Sequence, residues 1–220
     1  MKKIIVSRKD CAEKVNEIIT EWARHHNKII VAIDGYTGAG KTTLVQNLAR
    51  INPSLLPVNR DDFVIARRKV RKLFLSTNDR ARMFERDICD FSKLKELITV
   101  FKRNARSCTM NTYNPISGRI DIKKMFDTRK QIMVIEGVFM FHPELINHLW
   151  DKRIYLDGKI DVIDRRRVLR EKKKWGAEYV PETHPDSFLR SITGALKDYR
   201  EKYHPDKGAD IVIYQKDVVY

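Results

Sequence analysis

From Val31 to Leu44 the chain reads VAIDGYTGAGKTTL, and no other stretch restricts its fold as tightly. Residues 28 to 34 carry the apolar run IIVAI, which at this length suits a strand buried on both faces of a parallel sheet. Gly35 to Thr42 then spells G-x-x-x-x-G-K-[ST], and Thr42 to Arg50 reads as a helix that stops before Asn52-Pro53. Strand, glycine turn and helix in this order commit the chain to an α/β architecture. Glycines let the backbone curl so that its N–H groups face an anion, and the helix N-terminus adds partial positive charge. The expected phosphate cradle is Gly35, Thr37, Gly38, Ala39, Gly40, Lys41, Thr42 and Thr43. In it Lys41 neutralises the β and γ oxygens of a nucleoside triphosphate, while the Thr42 hydroxyl ligates Mg²⁺.

Further apolar runs complete a parallel sheet with helices on both faces. Leu55, Leu56 and Val58 form a short strand interrupted by Pro57, and a proline removes a ladder donor, which confines the strand to a sheet edge or a bulge. Buried strands follow at 132–135, 153–156 and 210–214, with helices through much of 66–106. At the N-terminus Asp10 and Glu13 resemble a capping box, and Val15, Ile18, Ile19 and Trp22 fall on one helical face. Residues 1–27 are therefore expected to be an amphipathic helical extension, packed on a single domain that spans 28–220.

Charge and cysteine content narrow the partners. With 44 Lys and Arg against 29 Asp and Glu the net charge is +15, which favours anionic substrates or polyanions. The basic clusters ARRKVRK (66–72) and REKKK (170–174) lack interleaved aromatics or a nucleic-acid motif, which argues against nucleic acid and leaves the charge to phosphate handling. Three cysteines, Cys11, Cys89 and Cys108, form no CxxC pair and suit a reducing compartment. The apolar run Ile4–Val6 after Lys2 and Lys3 is too short for a signal-peptide core, and no stretch approaches the ~20 apolar residues of a membrane span. A cytoplasmic protein with no membrane partner is the simplest expectation.

Two carboxylates stand where an α/β sheet gathers its functional loops, at the carboxyl ends of strands. Asp61, in Asn59-Arg60-Asp61-Asp62-Phe63, follows the Pro57 strand, where it can accept the proton of an attacking hydroxyl or, alternatively, cap the next helix. Glu136, in IMVIEGVFMF, ends a buried strand and is suited to holding Mg²⁺ or its water shell. No guanine-reading N-K-x-D occurs, and large motor ATPases are built on longer chains. Small kinases are what remains.

Taken in order, VAIDGYTGAGKTTL, RDDF, MVIEGVFMF, RIYLDGKIDVIDRRRVLRE and KYHPDKGADIVI resemble the uridine kinase and phosphoribulokinase family of P-loop kinases, with its nicotinamide riboside and pantothenate kinase relatives. The resemblance covers residues 28 to about 214. It implies a P-loop NTPase fold with a parallel five-stranded sheet in the order 2-3-1-4-5, helices on both faces and a helical lid at about 160–182. It implies ATP and Mg²⁺ as donor and metal, a small hydroxyl-bearing acceptor, Asp61 as catalytic base and Glu136 as the acidic strand-end residue. In the lid, Arg166, Arg170 and Lys174 stand at i, i+4 and i+8, a stripe that closes over the ATP phosphates, with Arg166 and Arg170 stabilising charge during transfer. Acceptor contacts are expected from Glu85, Tyr113 and Arg119.

The chain departs from the pyrimidine-reading members at two places. Val64 follows Phe63 where they carry an aromatic residue, and Gly118 stands in TYNPISGR where they carry a histidine. A nucleoside acceptor is the first expectation, with pantothenate-like and phosphorylated-sugar acceptors as alternatives. A non-catalytic nucleic-acid-binding role is the contrasting reading, and whether the chain forms a homo-oligomer is open.

Overall fold

Strand β1 (Lys2–Ser7) opens the chain, followed by helix α1 (Cys11–Ala23), strand β2 (Ile29–Gly35), helix α2 (Lys41–Ile51) and strand β3 (Leu55–Asn59). After a 3-10 turn at Arg60–Phe63 come α3 (Arg67–Ser76), a single turn α4 (Arg80–Arg82) that runs into a π-helical turn at Met83–Asp87, and α5 (Phe91–Lys102). An antiparallel hairpin, β4 (Cys108–Thr112) and β5 (Ile122–Phe126), precedes β6 (Ile132–Glu136) and β7 (Lys152–Gly158). Helices α6 (Ile160–Trp175) and α7 (Phe188–Tyr203) and strand β8 (Ile211–Lys216) complete it. The structure, a computed structural model, describes residues 2–184 and 187–216.

Every residue of β2 and β6 is buried, which is why both read as unbroken apolar runs rather than alternating ones. All pairings in the main sheet are parallel, in the order β1-β8-β7-β2-β6-β3. The strand with Pro57 is thus an edge, as the missing donor requires.

Counted from β2, the expected order 2-3-1-4-5 is β3-β6-β2-β7-β8, but the sheet has six strands, not five. The sixth is β1, which pairs with β8 from Lys2↔Ile211 to Ser7↔Lys216. The N-terminal segment is therefore strand and helix rather than helix alone. Three β-branched residues, Ile4, Ile5 and Val6, suit a strand, and they were too few to stand out as periodic. The β4–β5 hairpin was also not legible, because its strands are short, largely exposed and Lys- or Thr-bearing.

Two cores flank the sheet. Ile29, Val31 and Ile33 of β2 pack with Val15 and Ile19 of α1, Leu44 and Leu48 of α2, and Leu196 and Tyr199 of α7. Ile30 and Ala32 face Leu94, Leu97 and Phe101 of α5 and Trp150 on the other side. Each fully buried Leu, Ile, Val or Phe contributes about 1.5–3 kcal/mol, so α1 is tied to the domain rather than hanging from it. The three cysteines are buried free thiols, and among the described residues no helix is long and apolar enough to cross a membrane. Because the sheet is parallel, the ends of β1, β2, β3, β6, β7 and β8 all open on one edge, where the candidate site lies.

Candidate active site

Gly40 caps α2 with φ 96°, a left-handed conformation natural to glycine, and so turns the loop's N–H groups toward the helix N-terminus. Thr37, Gly38, Gly40, Lys41, Thr42 and Thr43 line a cavity of about 290 Å³. The other two expected cradle residues are not on its wall. Gly35 accepts a hydrogen bond through its carbonyl, and Ala39 is buried in the core.

Lys41 is buried and donates from Nζ to the carbonyls of Gly35 (2.7 Å) and Tyr36 (3.0 Å). Burial pushes its pKa down, and the carboxylates of Glu136, Asp34 and Asp61 oppose that shift. Asp34, the last carboxylate of β2, accepts from Tyr199 Oη (2.7 Å), Gly35 N (2.7 Å) and Phe141 N (3.2 Å), so it braces the loop from beneath. Burial raises the Asp34 pKa, against those hydrogen bonds and Lys41.

Thr42, in the first turn of α2, donates from Oγ1 to Glu136 Oε1, at the end of β6, at 2.8 Å. Burial raises the Glu136 pKa, with Lys41 pulling it back. These two hard oxygen donors suit Mg²⁺, which takes few protein ligands and keeps several from phosphate and water. Among the described residues no three His, Cys, Asp or Glu side chains are grouped as a metal cage, so any Mg²⁺ here would draw on that smaller set.

Asp61 and Asp62 have separate fates. Asp62 is ion-paired with Lys124 of β5 at 2.6 Å, whereas the exposed Asp61 carboxylate makes no hydrogen bond or ion pair among the described residues. Asp61 does not serve as the cap: Asn59 Oδ1 accepts from Asp61 N at 2.8 Å and caps the turn. Arg60, between them and the core, is buried beside the rings of Phe91 (5.7 Å) and Phe139 (5.9 Å), which fixes the turn. Asp61 lines both the phosphate cavity and a second one of about 740 Å³, and Val138 and Ile192 are the other residues on both walls.

The second cavity is mainly apolar, between Phe74 of α3, Ile88, Phe188 of α7, Trp175 at the end of α6 and Tyr179 beyond it. Tyr113, one of the three residues expected to contact an acceptor, lies on its wall. Glu85 is on neither wall: it faces His142, 3.5 Å away. Arg119 is likewise on neither wall, exposed on the hairpin loop. Gly118 explains its own departure from the pyrimidine pattern. A Cβ there would lie 2.8 Å from Arg67 Cβ, and Arg67 crosses that space to donate to the Pro115 carbonyl.

Arg166 and Arg170 of α6 line the phosphate cavity, with Arg170 also bonded to Glu171 at 2.8 Å. Lys174, one turn on, lines the larger cavity instead, so the expected stripe is divided between the two. Sequence reasoning passed over Arg167, which is buried and donates to Glu182 (2.8 Å) and Thr193, with Asp164 at 3.0 Å and the Tyr36 ring at 5.6 Å. The signal was Ile163 one turn earlier, an apolar residue on the same face as Arg167. Arg8, from the turn after β1, was also passed over and lines the phosphate cavity.

The model of the Phosphoribulokinase / Uridine kinase family matches residues 30–215. The chain belongs to the phosphoribulokinase/uridine kinase family. This is a family of P-loop kinases of small acceptors, and its match begins inside β2, leaving β1 and α1 outside. Uridine kinase of Borrelia duttonii (strain Ly) is 27% identical over 185 residues, 84% of this chain and 85% of that protein. Uridine-cytidine kinase C of Dictyostelium discoideum is 26% identical over 180 residues, 81% of this chain but only 36% of that protein's length. A solved structure of a possible uridine kinase from Bacillus stearothermophilus shares the fold, with a TM-score of 0.67 at 19% identity over 93% of this chain and 98% of that one.

Proposed function

We propose that this chain is an ATP- and Mg²⁺-dependent kinase that transfers the γ-phosphoryl group to a hydroxyl of a small acceptor, with a nucleoside the first candidate. The observation that carries this reading is the position of Asp61 on the wall common to the phosphate cavity and the larger one. A carboxylate there touches both the group being moved and the hydroxyl that receives it.

In this reading the cradle N–H groups and Lys41 hold the β and γ phosphates, and Thr42 and Glu136 hold the metal. Bound Mg²⁺ supplies charge neutralisation on the phosphoryl oxygens. Asp61 accepts the acceptor hydroxyl's proton as its oxygen attacks phosphorus and the bond to the ADP oxygen breaks. Arg166 and Arg170 stabilise the developing negative charge, and α6 roofs the site against water. Most of the rate enhancement then comes from positioning and electrostatics.

A phosphorylated or carboxylated acceptor is a second reading. Arg71 and Lys174 line the larger cavity from opposite helices, and neither has a hydrogen bond or ion pair among the described residues. The test is ADP release from ATP and Mg²⁺ with uridine, cytidine, nicotinamide riboside, pantothenate and ribulose 5-phosphate in turn. Acceptor-dependent turnover is expected, reduced roughly 10²–10⁴-fold in Asp61→Asn with ATP affinity retained. Full turnover in Asp61→Asn would refute the role of the carboxylate, and ADP release independent of every acceptor would refute the kinase reading.

A further inference from the structure

Strand β1 lies outside the matched family region, yet the turn that follows it delivers a cation to the phosphate cavity. We propose that Arg8 binds the phosphates of the nucleotide that are not transferred, as a donor-site contact contributed by the sixth strand. The inference rests on the kinase reading for the identity of the ligand, an ATP or ADP polyphosphate.

The path to the cavity is a chain of contacts. Val6 is in register with Gln215 of β8, and Arg8 follows two residues later. Gln215 donates to Cys11 Sγ at 3.3 Å, and its Oε1 lies 3.8 Å from where a Cβ on Gly40 would stand, so the end of β8 abuts the phosphate loop. The turn itself is fixed: Ser7 Oγ donates to Asp10 Oδ2 at 2.6 Å, and Asp10 N donates back to Ser7 Oγ at 3.1 Å. Arg8 is exposed and makes no hydrogen bond or ion pair among the described residues, so its guanidinium has its donors available for an anion.

Sheet order decides which phosphates it meets. Asp61 and Glu136 reach the cradle from β3 and β6, on one side of β2, while Arg8 arrives from β1 beyond β7 and β8 on the other. Transfer takes place on the Asp61 side. Arg8 therefore holds the part of the nucleotide that remains as ADP, a contact equally present before and after transfer.

Such a contact is uniform binding, which lowers KM without raising kcat. The experiment is calorimetric titration of the full chain with Mg-ATP and Mg-ADP, in wild type, Arg8→Gln, Arg8→Lys and the neighbouring exposed control Lys9→Gln. Arg8→Gln is expected to weaken ATP and ADP by the same factor, roughly tenfold, and Arg8→Lys by less, because it keeps the charge and loses the planar fork. Lys9→Gln should bind as wild type, and all three variants should melt with wild type since the side chains are exposed. Where turnover is measured, Arg8→Gln should raise the KM for ATP and leave kcat unchanged. Unaltered affinity in both Arg8 variants would overturn the proposal, and so would a loss confined to ATP, which would move the contact to the γ-phosphate. Because the binding arm needs no acceptor, a wild type that binds nucleotide but phosphorylates nothing would sink the kinase reading while leaving Arg8 to be decided by the ADP titration.

Discussion

Arg167→Met tests whether the buried arginine fastens α6 to the phosphate loop. Arg167 is 1% exposed, and its guanidinium joins three parts of the chain: Glu182, Thr193 of α7, and the ring of Tyr36 in the loop. Its Cβ sits 3.2 Å from where a Cβ on Gly38 would be, so helix and loop touch directly. Removing one partner of a fully buried ion pair costs about 3–5 kcal/mol, because the other charge is stranded. Here the side chains of Glu182 and Asp164 are 31% and 36% exposed and can be partly rehydrated, which lowers the expected cost to about 2 kcal/mol. Methionine keeps the apolar stem against Ile163, so a cavity adds little. For a chain of this size that cost corresponds to a Tm lowered by roughly 4–8 °C. Urea unfolding gives the free energy, and adding Glu182→Gln to Arg167→Met should recover about half of the loss, since it removes one stranded charge. ATP affinity should fall in the single variant as well, because α6 roofs the cradle. A single variant within 0.5 kcal/mol of wild type, or a double variant that is fully additive, would refute the argument.

Two other perturbations follow from the geometry. In Gly137→Ala the new Cβ would lie 2.6 Å from Arg60 Cβ and 2.9 Å from Arg60 Cδ, and Arg60 has little room beside Phe91 and Phe139. A loss of about 2 kcal/mol in urea unfolding is expected, and an unchanged midpoint would show that the contact can relax. His142 is buried against Tyr203 (4.6 Å), and burial, reinforced by Arg86, holds its pKa below the ordinary imidazole value. A depressed folded pKa means that the unfolded chain takes up the proton first. His142 therefore favours the fold above about pH 6.5, and that contribution is lost as pH falls further through the folded pKa. Unfolding measured between pH 8 and 5 should show this acid limb in wild type and a flatter one in His142→Phe, whereas parallel curves would assign the limb to other groups.

The strand, glycine turn and helix around Gly40 and the edge position of the Pro57 strand were written in local sequence, whereas the order of the strands from β2 onward came from the family resemblance. The first two depend on contacts between near neighbours: a left-handed Gly40, an unbroken apolar run, a proline without a donor. Thr42 at the start of α2 and Glu136 at the end of β6 were likewise legible as neighbours of the glycine turn, and a 2.8 Å hydrogen bond joins them. Spacing alone could not separate Asp61 from Asp62, because Lys124, which ties up Asp62, comes from a hairpin 62 residues away, and only the resemblance chose Asp61. Nor could sequence show that Lys174 leaves the phosphate stripe, that Glu85 turns to His142, or that Arg119 stays on the surface. Those outcomes depend on how α6, the π-helical turn and the hairpin loop pack. A pattern of three charged arginines on a helix gives no sign of which is buried, since burial is decided by the partners that other elements supply. Arg8 is the extreme case. The sequence determines that a glycine turn stands between β2 and α2, but only the pairing of the first strand with the last, across more than two hundred residues, brings an N-terminal arginine to the same cavity. Local propensity is read along the chain, and sheet order is settled by which surfaces can be buried together.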